Sequence, residues 1–179
     1  MKNFLFALVS LGLLCTSFAT SAEWQPNTED TFELSVQKAI VIARQKDPSL
    51  VKWFESAYGY AVYPRVGKGG IGVGGAYGKG IVILGDKTIA TTSLSQVSIG
   101  LQLGGQVYSE FIFFRDKTAL DDFSRGNFEL GAQASAVAIT AGASADAAYN
   151  GGVAIFTIAE GGLMFEASVG GQKFKYEPK

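Results

Sequence analysis

The pattern of apolar and polar positions changes once along the chain. Residues 23–30 (EWQPNTED) are polar, hold a proline, and read as a lead-in. Residues 31–46 (TFELSVQKAIVIARQK) place Phe32, Val36, Ala39, Ile40 and Ala43 at helical spacing, so a helix with one core-facing stripe is expected. Asp47-Pro48 stops it and starts a second helix to about Ala57, with Asp47 able to cap and Pro48 suited to the first position. From Tyr58 onward, short runs of Val, Ile, Phe, Tyr and Thr alternate with glycine. Strands are expected near 59–64, 70–77, 80–84, 88–94, 96–104 and 106–114. Asp116 and Gly126 then bracket a short helix. Strands resume near 128–134, 136–148, 153–159, 163–169 and 172–176. Gly85-Asp86-Lys87, Asn150-Gly151 and Glu160-Gly161-Gly162 serve as turns. Helices do not alternate with strands. The pattern therefore predicts an α+β domain, predominantly antiparallel β-sheet, curved or sandwich-like, with two N-terminal helices and one short mid-chain helix.

The stretch VGKGGIGVGGAYGKG (66–80) tests whether glycine here serves a nucleotide. It matches G-x-G-x-x-G twice, at Gly67, Gly69 and Gly72 and at Gly70, Gly72 and Gly75. A dinucleotide site needs a helix directly afterwards, whose N-terminus faces the pyrophosphate. Here a strand pattern follows. The P-loop pattern also fails, because each Gly-Lys pair is followed by Gly and neither has a glycine at the required distance before it. Close packing of backbones explains the glycines better. The expected partner is residues 131–148 (GAQASAVAITAGASADAA), small on both alternating faces. Tyr77, Tyr108, Phe113, Tyr149, Phe156 and Phe165 would fill the space that glycine leaves.

The N-terminus and the composition narrow the function classes. Lys2, the apolar run Phe4–Leu14 and Thr20-Ser21-Ala22 read as a secretory signal peptide over residues 1–22. A lipoprotein signal at Cys15 is disfavoured, since Leu14 stands where a small residue belongs. The remainder, from residue 23, is expected to be exported to the periplasm or held peripherally at the cell envelope. Cys15 is the sole cysteine and there is no histidine. Ser-His-Asp and Cys-His nucleophilic catalysis is thereby excluded, and structural zinc, haem and iron–sulfur centres lack their usual ligands; carboxylates, lysines and hydroxyls remain, and no enzyme activity, metal or cofactor is expected. Lys and Arg total 15 against 16 Asp and Glu. Such a near-neutral chain is not a nucleic-acid binder, and attraction to anionic surfaces must come from local clusters.

Two such features stand out. Arg65, Lys68 and Lys79 flank the glycines, and Lys52 lies on the second helix, forming a candidate basic rim. On the first helix, Leu34 and Val41 lie opposite the core stripe, with Lys38 and Gln45 beside them and Gln37 and Arg44 on the other flank. Apolar ridges flanked by Lys and Arg are typical of interfacial helices. Glu110, Glu129, Asp146 and Glu166 show no spacing that would pair them for acid–base chemistry.

Longer strings then carry a resemblance. AYGYAVYPRVGKGGIGVGGAYGKG (57–80), SLSQVSIGLQLGGQVYSEFIFF (93–114), NFELGAQASAVAITAGASADAAYNGGVAIFT (127–157) and GGLMFEASVGGQKFKY (161–176) closely resemble the SYLF domain. The resemblance covers residues 35–177, after a lead-in and helix start at 23–34. It implies a non-enzymatic phospholipid-binding protein that contacts anionic lipid headgroups. In the family, membrane contact is attributed largely to an amphipathic N-terminal helix and to basic residues. The matching material here is Phe32 to Lys46, with Leu34, Lys38, Val41 and Arg44 as the candidates on it, plus Lys52, Arg65, Lys68 and Lys79. Eukaryotic members are associated with phosphoinositides, and some with actin. Export sets both aside here in favour of ordinary anionic phospholipid. The alternative is a structural or protein-partner-binding module of the cell envelope. A small outer-membrane β-barrel is disfavoured by the helices and by the Pro-Lys end.

Overall fold

The computed structural model describes residues 23–125, 129–130 and 136–179, and the side chains of these residues outside 129–130 and 163–170. The elements in chain order are α1 (Thr31–Lys46), α2 (Leu50–Ser56), β1 (Gly59–Leu84), β2 (Lys87–Phe114), α3 (Lys117–Ser124), β3 (Glu129–Leu130), β4 (Val137–Ala138) and β5 (Val153–Pro178). This is the α+β arrangement expected from the sequence, with antiparallel pairing throughout the three long strands. The sheet order is β1-β2-β5-β3, and β4 adds to β5 in parallel.

The helices form where the polar pattern calls for them. Asp30 accepts from the backbone N–H groups of Phe32 and Glu33 and caps α1. Asp116 caps α3 through the Ala119 N–H at 3.0 Å. The start of α2 differs from expectation. Asp47-Pro48 forms a turn, Ser49 takes the cap position, and the helix begins at Leu50. Asp47 instead accepts from the Ser49 N–H at 3.0 Å, the Gly142 N–H at 3.2 Å and the Ser144 N–H at 2.8 Å. These donors outweigh burial, which acts upward, and hold its carboxyl well below the usual range.

The strands correct the sequence reading in length. Segments 59–64, 70–77 and 80–84 are one strand, as are 88–94, 96–104 and 106–114, and as are 153–159, 163–169 and 172–176. Glycine interrupts the side chains but not the pairing. Gly85-Asp86 does turn β1 into β2, and Asn150 to Val153 closes a tight turn with positive φ at Gly151 and Gly152. Glu160-Gly161-Gly162 is not a turn but a bulge within β5. Residues 136–148 do not form a long strand. Only Val137–Ala138 pair, and 141–146 are turns held by Asp47. Of the expected strand 128–134, Glu129–Leu130 pair with β5 and the rest lies outside the described residues.

Such long strands fit because the sheet doubles over. Gly72 has φ +70°, and the β1–β2 register slips between Ile71 and Val73. On either side of it, the two arms of β1 come back together. A Cβ added to Gly80 would stand 2.5 Å from the Val62 carbonyl oxygen, and one on Gly59 2.9 Å from that of Ile83. Only glycine allows backbones this close. The close approach expected of the glycines is therefore present. Among the described residues its partner is the other arm of the same strand and not residues 136–148, and residues 131–135 lie outside the described residues.

Alternation along the arms then makes two cores. Ala61, Tyr63, Val82, Leu94, Ile112 and Phe174 face inward between the arms, and Tyr63 Oη lies 2.8 Å from Thr92 Oγ1 across them. α3 joins both arms there, with the Phe123 ring 5.0 Å from Phe114 and 5.3 Å from Phe174. Tyr60, Val62, Ile81, Ile83, Phe111, Phe113 and Phe156 face the other way, against Val36, Ala39, Ile40 and Ala43 of α1 and Leu50 of α2. Tyr108, Phe113 and Phe156 are buried as expected, whereas Tyr77 is mostly exposed.

Candidate functional site

Because α1 rests on the doubled β1, one flank of the helix and the outer side of that strand leave a groove between them. Its volume is about 760 Å³. Phe32, Ala39, Ile42, Pro64, Tyr77 and Ile158 supply apolar walls. Lys38 and Lys46 enter from α1, and Arg65 and Lys79 from β1. Glu160 is the acid lining this groove, and it accepts from Ser109 Oγ. Among the described residues, no salt bridge engages Lys38, Arg65 or Lys79. Lys46 Nζ reaches the Ala159 carbonyl at 3.5 Å. Four cations around one acid leave an excess positive potential over an apolar floor.

The expected site residues divide around this groove. Lys38, Arg65 and Lys79 converge on it. Leu34 and Val41 form an exposed ridge on the outward side of α1, 38% and 46% exposed. Arg44 is turned away: it pairs with Glu23 and lies 4.7 Å above the Phe54 ring, so it ties α1 to α2 and the lead-in. Lys52 is exposed on α2, away from the groove. Lys68 lines a neighbouring hollow of about 440 Å³, which meets the groove at Lys46 and Ala159. Lys46 falls within the helix that the resemblance matched to membrane contact, but the sequence does not single it out. It lies on the last turn of α1, where the chain pattern carries no sign of what it faces.

The neighbouring hollow holds a buried carboxyl. Glu110 is fully buried on β2 and accepts from Gln172 Nε2 at 3.0 Å through Oε2. Among the described residues its Oε1 has no hydrogen-bond partner. Burial pushes the carboxyl up to about 7, against the Gln172 hydrogen bond and the Lys68 charge. Among the described residues that line the hollow, Glu110 is the one carboxyl.

A second surface was also missed. Where the sheet doubles over, Ile71, Val73, Val97, Ile99, Leu101 and Leu103 are each between 61% and 80% exposed. Ile71 is paired with Leu103 and Val73 with Ile99, so these side chains form one continuous patch. The signal was in the sequence, in alternating Val97, Ile99, Leu101 and Leu103 within a stretch, 88–109, that has no charged residue. Inside the bend the polar requirements are met by one side chain. Gln102 donates to the Gly72 carbonyl at 3.2 Å and the Ser98 carbonyl at 3.0 Å, and accepts from Ser98 Oγ at 2.9 Å. Gly74 makes room for it, since a Cβ there would stand 2.3 Å from Gln102 Oε1.

Among the described residues no cluster of acidic, cysteine or histidine side chains could hold a metal ion. No helix among them is long and apolar enough to cross a membrane.

The described residues therefore offer two surfaces, an open groove with cationic walls and an exposed apolar bend. Comparison with known proteins relates part of the chain to a family. A family model described as Ysc84, Las17-binding protein actin regulator, matches residues 95–178. Beta cell expansion factor A of Aeromonas veronii is 33% identical over 138 residues, which cover 76% of this chain and 52% of that protein. Residues 95–178 thus match a SYLF domain, as the sequence resemblance implies, and SYLF domains are a family of lipid- or partner-binding domains and not a known enzyme family. The chain spans about half the length of the curated relative it matches.

Proposed function

We propose that this protein is a non-enzymatic, peripheral phospholipid-binding protein of the bacterial envelope. The observation that carries the proposal is the groove: Lys38, Lys46, Arg65 and Lys79 around an apolar floor match an anionic headgroup attached to an acyl chain. Phosphate oxygens meet the ammonium and guanidinium groups, and Ile42, Tyr77 and Ile158 receive the first part of the chain. The exposed Leu34–Val41 ridge would lie on the same lipid surface as Lys38. In this proposal the leader covers residues 1–22, the binding domain covers 35–177, and the protein works in the periplasm or attached to the envelope surface. Lys68 and Lys52 add to the field without entering the groove, and Arg44 acts through packing.

Flotation with vesicles tests it. The chain is expected to float with phosphatidylglycerol vesicles and not with phosphatidylcholine vesicles. Lys38→Ala, Arg65→Ala and Lys79→Ala together should weaken binding by about 3 kcal/mol, on the order of a hundredfold, at roughly 1 kcal/mol per cation near a charged surface. Equal binding to both lipids, or a triple variant that binds unchanged, would refute the groove as the headgroup site.

A second reading has one observation in its favour: the description of the matched family names a protein partner. A protein-docking module of the envelope would bind through the apolar bend or the α1 ridge. Lys68→Glu with Lys79→Glu should then leave partner binding intact, whereas the same pair should weaken vesicle binding. Actin and nucleic acid are not among the proposed partners.

A further inference from the structure

Resting on the lipid-binding reading, we propose that the doubled-over end of the sheet is the part that enters the bilayer. Ile71, Val73, Val97, Ile99, Leu101 and Leu103 would penetrate the acyl region while the groove behind them holds a headgroup. Six contiguous aliphatic side chains at 61–80% exposure are far from ordinary for a surface left in water. None of the patch's six side chains lines the groove or the neighbouring hollow. The patch stands at a tip, so it can enter a bilayer without submerging the helices.

The backbone permits entry. Carbonyl and amide groups of an inserted element must be satisfied internally. Here β2 pairs with β5 through Leu101 and Leu103, and β1 rejoins β2 on both sides of Gly72. Where β1 and β2 part at the bend, Gln102 reaches the Gly72 and Ser98 carbonyls from inside. The polar groups of the bend are thus turned inward and its aliphatic groups outward.

Charge selects the bilayer over a second copy of the chain. From Gly59 to Gly85 there is no acidic residue, and the charges are Arg65, Lys68 and Lys79. Lys68 stands four residues from Gly72, about 13 Å along the strand, at the depth of headgroups when the tip is immersed. Glu166, opposite Gln102 in the β2–β5 register, is the acid at this end. Two tips meeting face to face would bring two cationic collars together, whereas an anionic bilayer neutralises one.

The test places a reporter at the tip. Cys15→Ser leaves no other thiol in the full chain, so Leu101→Cys takes an environment-sensitive fluorophore at one place. Asp86→Cys, in the turn at the other end of β1, is the control. With phosphatidylglycerol vesicles, emission at residue 101 should move to the blue and be quenched by acyl-brominated lipid, while residue 86 changes little. Ile99→Asp with Leu101→Asp should lower vesicle partition by about tenfold or more with unchanged thermal unfolding. A chain that floats with vesicles but shows no shift at residue 101 overturns the inference and leaves the groove reading standing. A wild-type chain that does not float removes both. A blue shift without vesicles that grows with protein concentration assigns the tip to a second copy and likewise overturns it.

Discussion

Glu110 offers the sharpest energetic prediction. Its carboxyl is fully buried, accepts one hydrogen bond from among the described residues, and is pushed by burial from an ordinary 4.5 to about 7. The unfolded chain sheds this proton above pH 4.5, while the folded chain keeps it until about pH 7. The folded state therefore binds more protons across that window, and stability must fall as pH rises through it. At about 1.4 kcal/mol for each tenfold change in proton affinity, the loss is roughly 3 kcal/mol between pH 4 and pH 8. Glu110→Gln has the shape of the protonated acid and can still accept from Gln172, so it removes the titration without emptying the site. Urea unfolding followed by circular dichroism, at pH steps from 4 to 8, gives the difference between the two proteins. The variant should match the wild type near pH 4 and exceed it by about 3 kcal/mol near pH 8. Other titrating groups cancel in that difference. A difference that does not change with pH, or that shifts in favour of the wild type as pH rises, would refute the reasoning.

Two further predictions concern the backbone. Asp47→Ala removes the acceptor for the Ser49, Gly142 and Ser144 N–H groups and should cost about 3 kcal/mol in chemical unfolding. Because the Asp47 carboxyl is held low, its contribution is present above the ordinary carboxylate range and is lost on acidification, so the variant should show a shallower acid limb. Gly80→Ala drives a methyl group to 2.5 Å from the Val62 carbonyl oxygen and should destabilise by roughly 1–3 kcal/mol. Gly67→Ala, with open space around the new methyl, should be nearly neutral by thermal melting.

Local signals were legible in the sequence and long-range ones were not. The periodicity of Phe32, Val36, Ala39, Ile40 and Ala43 placed α1 at its observed bounds, because a helix writes its buried face at fixed spacing. Asp116 and Gly85-Asp86 were likewise readable, since caps and turns depend on neighbours in the chain. The long strands were read as fragments because glycine leaves no side chain to continue an alternation, although its N–H and C=O still pair. Residues 136–148 alternate like a strand, yet Asp47, far away in sequence, turns them by holding the Gly142 and Ser144 amides. The groove was half legible. Lys38 stood out beside the Leu34–Val41 ridge and Arg65 and Lys79 beside the glycines, as two separate features, and only the doubling of β1 under α1 brings them together. Arg44 had the same charge pattern but finds Glu23 and Phe54 first. The aliphatic tip looked like a buried strand, because alternation shows that a strand has an apolar face but not which face is covered.

The central claim is that excess positive charge over the groove captures anionic lipid. The most direct measurement is the partition coefficient of the chain onto phosphatidylglycerol vesicles as ionic strength rises from about 0.01 M to 1 M, where the screening length shrinks from roughly 30 Å to 3 Å. The account predicts a steep fall for the wild type and a much shallower one for the Lys38→Ala, Arg65→Ala, Lys79→Ala variant. Partition that holds steady across this range, or slopes that coincide for the two proteins, would contradict it.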